Sequence, residues 1–260
     1  MILKITNWSG RLGNNLMQLR NCILVALYYN YNIIFPKHIF LKDNKVIINK
    51  DTDRKIYVDQ EGSNFFYSRK IKKFDKECFV SNIEKMREIM ENLFTIDYKN
   101  LPKIDLVIHI RGGDIFSNNA HPSYIPPPLD FYKKIINKDK YENIIIVSDD
   151  NKNPCIKELL KLYPIIQFKL QRLEEDIKMI LSAKNLVSSV GTFIPSILFV
   201  TRNTETLYYP SYSIQVQEIS HLKPCNLISL NFDKYREEYK IWKNSEQNRK
   251  NLINYNNSNS

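Results

Sequence analysis

Apolar runs of strand length alternate with apolar residues at helical spacing along most of this chain. Residues 2–6, ILKIT, have a strand pattern, Leu16, Leu19, Ile23, Ala26 and Leu27 recur at helical spacing, and residues 33–35 form a second strand pattern. Together they predict a β-loop-α-β unit. Residues 41–100 are less regular, rich in Lys, Asp and aromatics, and predict minor strands and a helix around residues 83–93. From residue 104 the alternation sharpens. IDLVIHI reads as a buried strand, PLDFYKKII as a helix with Pro128 near its first turn, and NIIIVS as a strand. NPCIKELLKLY then predicts a helix capped by Asn153 with Pro154 at its first position. IIQF follows as a strand, LEEDIKMILSAK as a helix and NLVSSV as a strand; residues 194–200 predict a final helix and ETLYY a last strand. Such alternation predicts an α/β fold with a parallel, doubly wound sheet. The segment 243–260, KNSEQNRKNLINYNNSNS, is polar enough to predict a disordered tail.

Composition narrows the class without naming it. With 260 residues, 43% of them hydrophobic, the chain can bury a sizeable core as one large domain or two ordinary ones. The net charge of +10 suits anionic ligands, but Lys and Arg are scattered, which fits a solvated basic surface better than a specific nucleic-acid footprint. Cys22, Cys78, Cys155 and Cys225 form no CxxC pair, so neither a zinc site nor a disulfide framework is indicated. No basic segment followed by a long apolar core opens the chain, and no run of about 18 apolar residues occurs in it. A soluble, cytoplasmic protein without a membrane span is expected. Asn7-Trp8-Ser9 is formally a glycosylation sequon, and a glycan there would obstruct the adjoining loop.

Glycine placement brings chemistry in. The chain has only six glycines, where average usage of about 7% would give roughly eighteen. Five of them, Gly10, Gly13, Gly112, Gly113 and Gly191, lie in three short clusters that each follow a strand-like run. In open α/β sheets ligands bind beyond the carboxyl ends of strands. The residues at those ends are His109, Arg111 and Asp114 in HIRGGD, Ser148, Asp149 and Asp150 in SDD, and Ser189, Gly191 and Thr192 in SVGT. Arg offers a planar fork to phosphate and glycine lets backbone N–H groups approach it, so the set suits a phosphorylated ligand with a polar base.

Four stretches also carry a family resemblance. SGRLGNNLMQ resembles the GGxGNQxxQ opening of the α1,2-fucosyltransferases, and HIRGGD the HxRRGD motif shared with α1,6- and protein O-fucosyltransferases. IIIVSDDNKNPCIKE resembles the FSDDxxW region, and EDIKMILSAKNLVSSVGTFIPSILF the DxxLMSxCxxxIxxNSSFSWWGA region. All four occur in the family's order. The resemblance implies a GT-B-like glycosyltransferase with two Rossmann-like lobes: residues 1–100 as the N-terminal lobe on the acceptor side, and residues 101–242 as the lobe that binds the nucleotide sugar. It also implies inverting transfer of fucose from GDP-fucose to a hydroxyl of a glycan acceptor, with no cofactor and no metal. Arg111 would hold the β-phosphate and stabilise departing GDP. His109 and either Asp149 or Asp150 would face guanine, and Ser189 or Thr192 would donate to the diphosphate near Gly191. Gly10 and Gly13, with Arg11 and Asn14 beside them, would bring backbone N–H groups to it.

The sequence departs from the family at two places. Gly112 stands where HxRRGD has its second Arg, and SSVGTFIPS lacks the tryptophans. Another nucleotide sugar therefore remains an alternative donor. A non-catalytic, basic nucleotide- or nucleic-acid-binding protein remains the alternative outside the enzymes. For a general base, residues 114–132 offer Asp114, His121 and Asp130, with Asp114 first for its nearness to the motif. Asp51-Thr52-Asp53 resembles a metal-binding DxD, but it lies in a run of charged residues and reads as surface.

Overall fold

The computed structural model describes residues 1–50, 57–60, 76–213 and 225–257. Gly62 and the Asp51-Thr52-Asp53 triplet lie outside the described residues. The chain forms two compact units, Met1–Asp97 with Pro195–Thr201, and Tyr98–Ile194 with Arg202–Ser260.

The first unit holds a four-stranded sheet of β1 (Ile2–Ile5), β2 (Asn32–Ile34), β3 (Lys45–Val46) and β4 (Tyr57–Gln60), in the order β3-β2-β1-β4. β1 pairs in parallel with both β2 and β4, while β3 joins antiparallel. Helix α1 (Leu12–Tyr29) connects β1 to β2 and buries Leu16, Leu19, Cys22, Ile23 and Ala26. Asn30 ends it in the left-handed conformation, φ 56°, which Asn tolerates better than most residues. Helix α2 (Lys76–Leu93) begins earlier than its apolar spacing predicts and buries Ile83, Met86 and Met90. Residues 195–201 come from the C-terminal half of the chain yet fold with this unit. The Ser196 hydroxyl donates to the Gly13 carbonyl at 2.7 Å, and Arg87 donates to the Thr201 carbonyl at 2.7 Å. The buried Arg20 guanidinium lies over the Phe199 ring at 5.0 Å.

The second unit is built on six parallel strands: β5 (Ile104–His109), β6 (Ile144–Val147), β7 (Ile166–Phe168), β8 (Ala183–Val187), β9 (Thr206–Pro210) and β10 (Asn226–Leu230). Their order is β10-β9-β8-β5-β6-β7. The chain starts in the middle of the sheet, winds to one edge, then returns to wind to the other, which is the Rossmann strand order. Helices α3 (Leu129–Ile136), α4 (Pro154–Leu162), α5 (Leu173–Leu181) and α6 (Phe193–Ile197) supply the crossovers. Asn153 caps α4 by accepting from the Cys155 N–H at 3.0 Å, with Pro154 following as its sequence predicts. α5 stops short of Ser182-Ala183-Lys184 because β8 claims Ala183, which pairs with Ile104.

Two expectations for the C-terminal end need correction. ETLYY is not the last strand, since β10 adds to its outer edge in parallel register. The polar segment after residue 243 is ordered over most of its length, as helix α8 (Glu246–Asn254), which follows α7 (Asp233–Glu238). Ser245 caps α8 by accepting from the Asn248 N–H, and Leu252 is fully buried. Leu252, with Ile253 and Tyr255 packed against the same core, anchors a segment whose mean composition is polar. Cys22 and Cys155 are buried free thiols.

Candidate functional site

In this strand order the ligand crevice opens at the switch point, between the carboxyl ends of β5 and β8. The sequence places HIRGGD after one of these strands and SSVGTF after the other. The structure brings His109, Arg111, Asp114, Ser189 and Gly191 to this end of the sheet, and SDD after β6 closes one side of it.

Arg111 is its centre. The guanidinium donates to Asp114 through Nη2 at 2.9 and 3.2 Å and through Nε at 3.4 Å, and its Nη1 donates to the Val190 carbonyl at 3.4 Å. One face of it stacks on the Tyr124 ring, 4.1 Å from the ring centroid. Gly191 explains its own identity here. Its φ is +109°, and a Cβ at this position would collide with Arg111 Nη1.

The two glycines after Arg111 make room for carboxylates. The Gly112 N–H donates to Asp149 Oδ1 at 3.1 Å. A Cβ on Gly112 would meet Asp150 Oδ1, and one on Gly113, φ +53°, would meet Asp149 Oδ2. The SDD turn thus occupies the space beside Gly112 that a side chain would enter. Burial pulls the Asp150 pKa up, but hydrogen bonds from Lys152 and Gly113 and the Lys152 ammonium together hold it below its ordinary value. In this arrangement Asp149 and Asp150, one of which was expected to face guanine, face the glycine turn.

Several polar atoms here are sealed from water without a partner. His109 Nδ1, Ser148 Oγ and Ser189 Oγ, just past the ends of β5, β6 and β8, and Tyr212 Oη and Ser213 Oγ, just past β9, are buried with no well-formed hydrogen bond. Tyr132 on α3 is the neighbour of Ser189. Native proteins leave few buried polar atoms unsatisfied, and each costs about 1–3 kcal/mol. Burial, with Arg111 adding to it, lowers the His109 pKa to about 3, so the imidazole is neutral at physiological pH. Its ring packs against Phe193, 5.4 Å between centroids.

Sequence reasoning missed three contributors. Asp176 in the first turn of α5 is 6% exposed, and burial, with Asp149 nearby, raises its pKa to about 6. It was legible as the leading Asp of the DIKMILS stretch. Tyr124 lies in a loop with no periodic signal. Trp242 donates from its indole N–H to the Ile115 carbonyl at 2.6 Å and from its backbone N–H to the Pro122 carbonyl at 2.9 Å. It therefore braces both the short 3-10 helix Gly113–Phe116 that carries Asp114 and the loop that carries Tyr124.

The remaining sequence candidates have other settings. Asp130 accepts from the Asn257 N–H at 3.0 Å and lies 3.9 Å from Lys134, which ties it to the C-terminal segment. The His121 ring contacts Tyr124 and the Ser123 hydroxyl, at the surface. Gly10, Arg11, Gly13 and Asn14 belong to the first unit, at the turn from β1 into α1. Gly10 has φ +72°, and a Cβ on it would collide with the Asn14 amide. Asn15 donates to the Ser9 carbonyl at 2.9 Å, while Gln18 accepts from the Ser9 N–H at 3.2 Å and donates to the Asn7 carbonyl at 3.1 Å. Among the described residues no group of three or more His, Cys, Asp or Glu side chains is placed to hold a metal ion, and no helix is long and apolar enough to cross a membrane.

No family model matches the sequence, and no curated protein sequence matches it. Solved structures do resemble it at the level of the chain trace. A fucosyltransferase NodZ from Bradyrhizobium is 8% identical, with 77% of this chain and 92% of that one covered and a TM-score of 0.42. POFUT1 in complex with GDP is 11% identical, with 89% and 98% covered and a TM-score of 0.44. The E. coli heptosyltransferase WaaC with ADP is 13% identical, with 92% and 98% covered and a TM-score of 0.42.

Proposed function

We propose that this chain is a glycosyltransferase that binds a nucleoside-diphosphate sugar at the switch point of its second unit, with GDP-fucose as donor and a glycan hydroxyl as acceptor. The observation that carries this reading is Arg111, set at the switch point of a Rossmann-order sheet with its guanidinium held against Tyr124 and bonded to the Val190 carbonyl. Cleaving a sugar-phosphate bond builds charge on the departing diphosphate, and preorganised donors are the strongest means of stabilising it. Arg111 supplies the positive charge, and Ser189 and Thr192 supply hydroxyls close by. The neutral His109 and the buried Asp176 suit the base. A carboxylate accepts from two adjacent donors, as the N–H and NH2 groups on one edge of guanine present them. Inversion at the anomeric carbon and independence of metal belong to the same proposal.

Thermal stabilisation of the purified chain by GDP, UDP, ADP and CMP and their sugar conjugates, with and without EDTA, tests this reading. The expected result is a shift with GDP and one GDP-sugar only, unchanged by EDTA and abolished in Arg111→Ala. Hydrogen bonds to a charged group are worth about 1.5–3 kcal/mol each, so this substitution should weaken GDP binding by at least tenfold. No shift with any nucleotide would refute the reading and favour a protein that uses its basic surface otherwise.

A further inference from the structure

We propose that Asp114 is a built-in competitor for the anion that Arg111 binds, and that Tyr124 is the positioning residue that holds the guanidinium while the two exchange. The inference rests on the diphosphate reading of Arg111. Arg111 has two kinds of neighbour. Asp114 lies along the edge of the guanidinium, within 2.9 and 3.2 Å of Nη2. Tyr124 covers a face, 4.1 Å from centroid to Cζ. A phosphate oxygen needs the same in-plane N–H groups that the carboxylate occupies, whereas contact with the ring leaves them free. Carboxylate and phosphate therefore exclude each other on that edge, while ring and phosphate can hold the guanidinium together.

The surroundings favour exchange over permanent pairing. The Arg111 side chain is 19% exposed and the Asp114 side chain 43% exposed, so the carboxylate can turn into water at small cost while the guanidinium cannot. The other terminal nitrogen, Nη1, is taken up by the Val190 carbonyl, beside Gly191. Nη2 and Nε are left as the anion seat. With no ligand bound, Asp114 balances a largely buried positive charge that would otherwise stand uncompensated. When a diphosphate arrives, one anion replaces another on the guanidinium edge, and negative charge accumulates there because the diphosphate carries more charge than the carboxylate it displaces. The displaced carboxylate remains close by and repels the bound anion, which lowers its affinity and speeds its departure.

Asp114 is thereby removed as a simple general base in the empty site, because its oxygens are committed to Arg111. Its oxygens leave the guanidinium only when a diphosphate is seated.

Calorimetric titration of the full chain with inorganic pyrophosphate and with GDP, at one pH and salt concentration, separates the outcomes. Asp114→Asn and Asp114→Ser should bind both probes roughly three- to tenfold more tightly than the wild type, in line with the loss of a partly exposed ion pair and of a repelling charge. Tyr124→Leu should bind them about three- to tenfold more weakly, and Tyr124→Phe about as well as the wild type. Opposite signs at the two positions are the signature of exchange. If Asp114 only held Arg111 in place, its variants would weaken binding as Tyr124→Leu does, and that result would overturn the proposal while leaving the diphosphate reading intact. Tyr124→Leu binding as tightly as the wild type would overturn the positioning role. A wild type that bound neither probe would overturn the diphosphate reading and the exchange with it.

Discussion

Two turns in this chain look alike as sequence and differ as chemistry. In the first unit β1 runs into SGRLGNN, and in the second β5 runs into RGGD. Both follow a central parallel strand, and both contain a glycine with positive φ, Gly10 at 72° and Gly113 at 53°. The turn after β1 is fastened by its own helix, since Asn15 and Gln18 of α1 satisfy the backbone of residues 7 and 9. The turn after β5 is fastened from far away along the chain, by Asp149, Asn153 and Trp242, and its surroundings hold an ion pair and unsatisfied buried polar atoms. Glycine spacing marks a tight turn in both cases. The turn after β5 adds the Arg111–Asp114 ion pair to its fastening.

Substitutions at the two fastenings should separate the turns. The largest effect is expected at Trp242, which is 1% exposed, stacks edge-on against Phe116 and hydrogen-bonds the turn of the 3-10 helix. Trp242→Ala should cost about 3–5 kcal/mol in stability, and chemical denaturation would show it. Because the same side chain braces the elements that carry Asp114 and Tyr124, nucleotide affinity should fall as well, even under conditions where the protein remains folded. Gln18→Ala in the other turn strands the Ser9 N–H and should cost about 1–3 kcal/mol. Measured on the folded variant, pyrophosphate binding through Arg111 should remain near that of the wild type. A loss there as large as in Trp242→Ala would erase the distinction between the turns.

How far the sequence shows this depends on the range of the interactions. The α4 start was readable to the residue, because Asn153 and Pro154 act on their immediate neighbours. The strand-helix alternation of residues 104–200 was readable because each buried strand is a short apolar run that carries its own signal. The order of those strands was not, since no local feature of β8 says that it pairs with β5. Arg111 and its flanking glycines could be picked out by type and position, but their partners could not. Asp114 as the occupant of Arg111, Asp150 in the space beside Gly112, and Tyr124 under the guanidinium are all outcomes of tertiary placement. The C-terminal segment was misjudged for a related reason. Its composition averages polar, while Leu252, Ile253 and Tyr255 act individually by packing on the core.

The smallest expected effect lies in the response to pH, and it sharpens the contrast because the groups involved all belong to the second unit. His109 has a folded pKa of about 3 against an ordinary 6.5, so between these values the unfolded chain takes up a proton that the folded one refuses. Its contribution to stability is lost as pH falls below about 6.5. Asp176 acts in the opposite sense. Its pKa is about 6 when folded against an ordinary 3.8, so the folded chain binds the extra proton and gains stability as pH falls through 6. Over the range between 3.8 and 6 the two slopes largely cancel in the wild type. They separate in the variants. Unfolding free energies measured from pH 7 down to pH 5 and referred to the wild type at each pH should rise for His109→Gln and fall for Asp176→Asn, each by at most about 1.4 kcal/mol per pH unit. Parallel curves for the two variants would mean that neither group is buried in the state described. Divergent curves that converge again when GDP is added would place both groups against the bound nucleotide, since a ligand that contacts them changes their protonation along with their exposure.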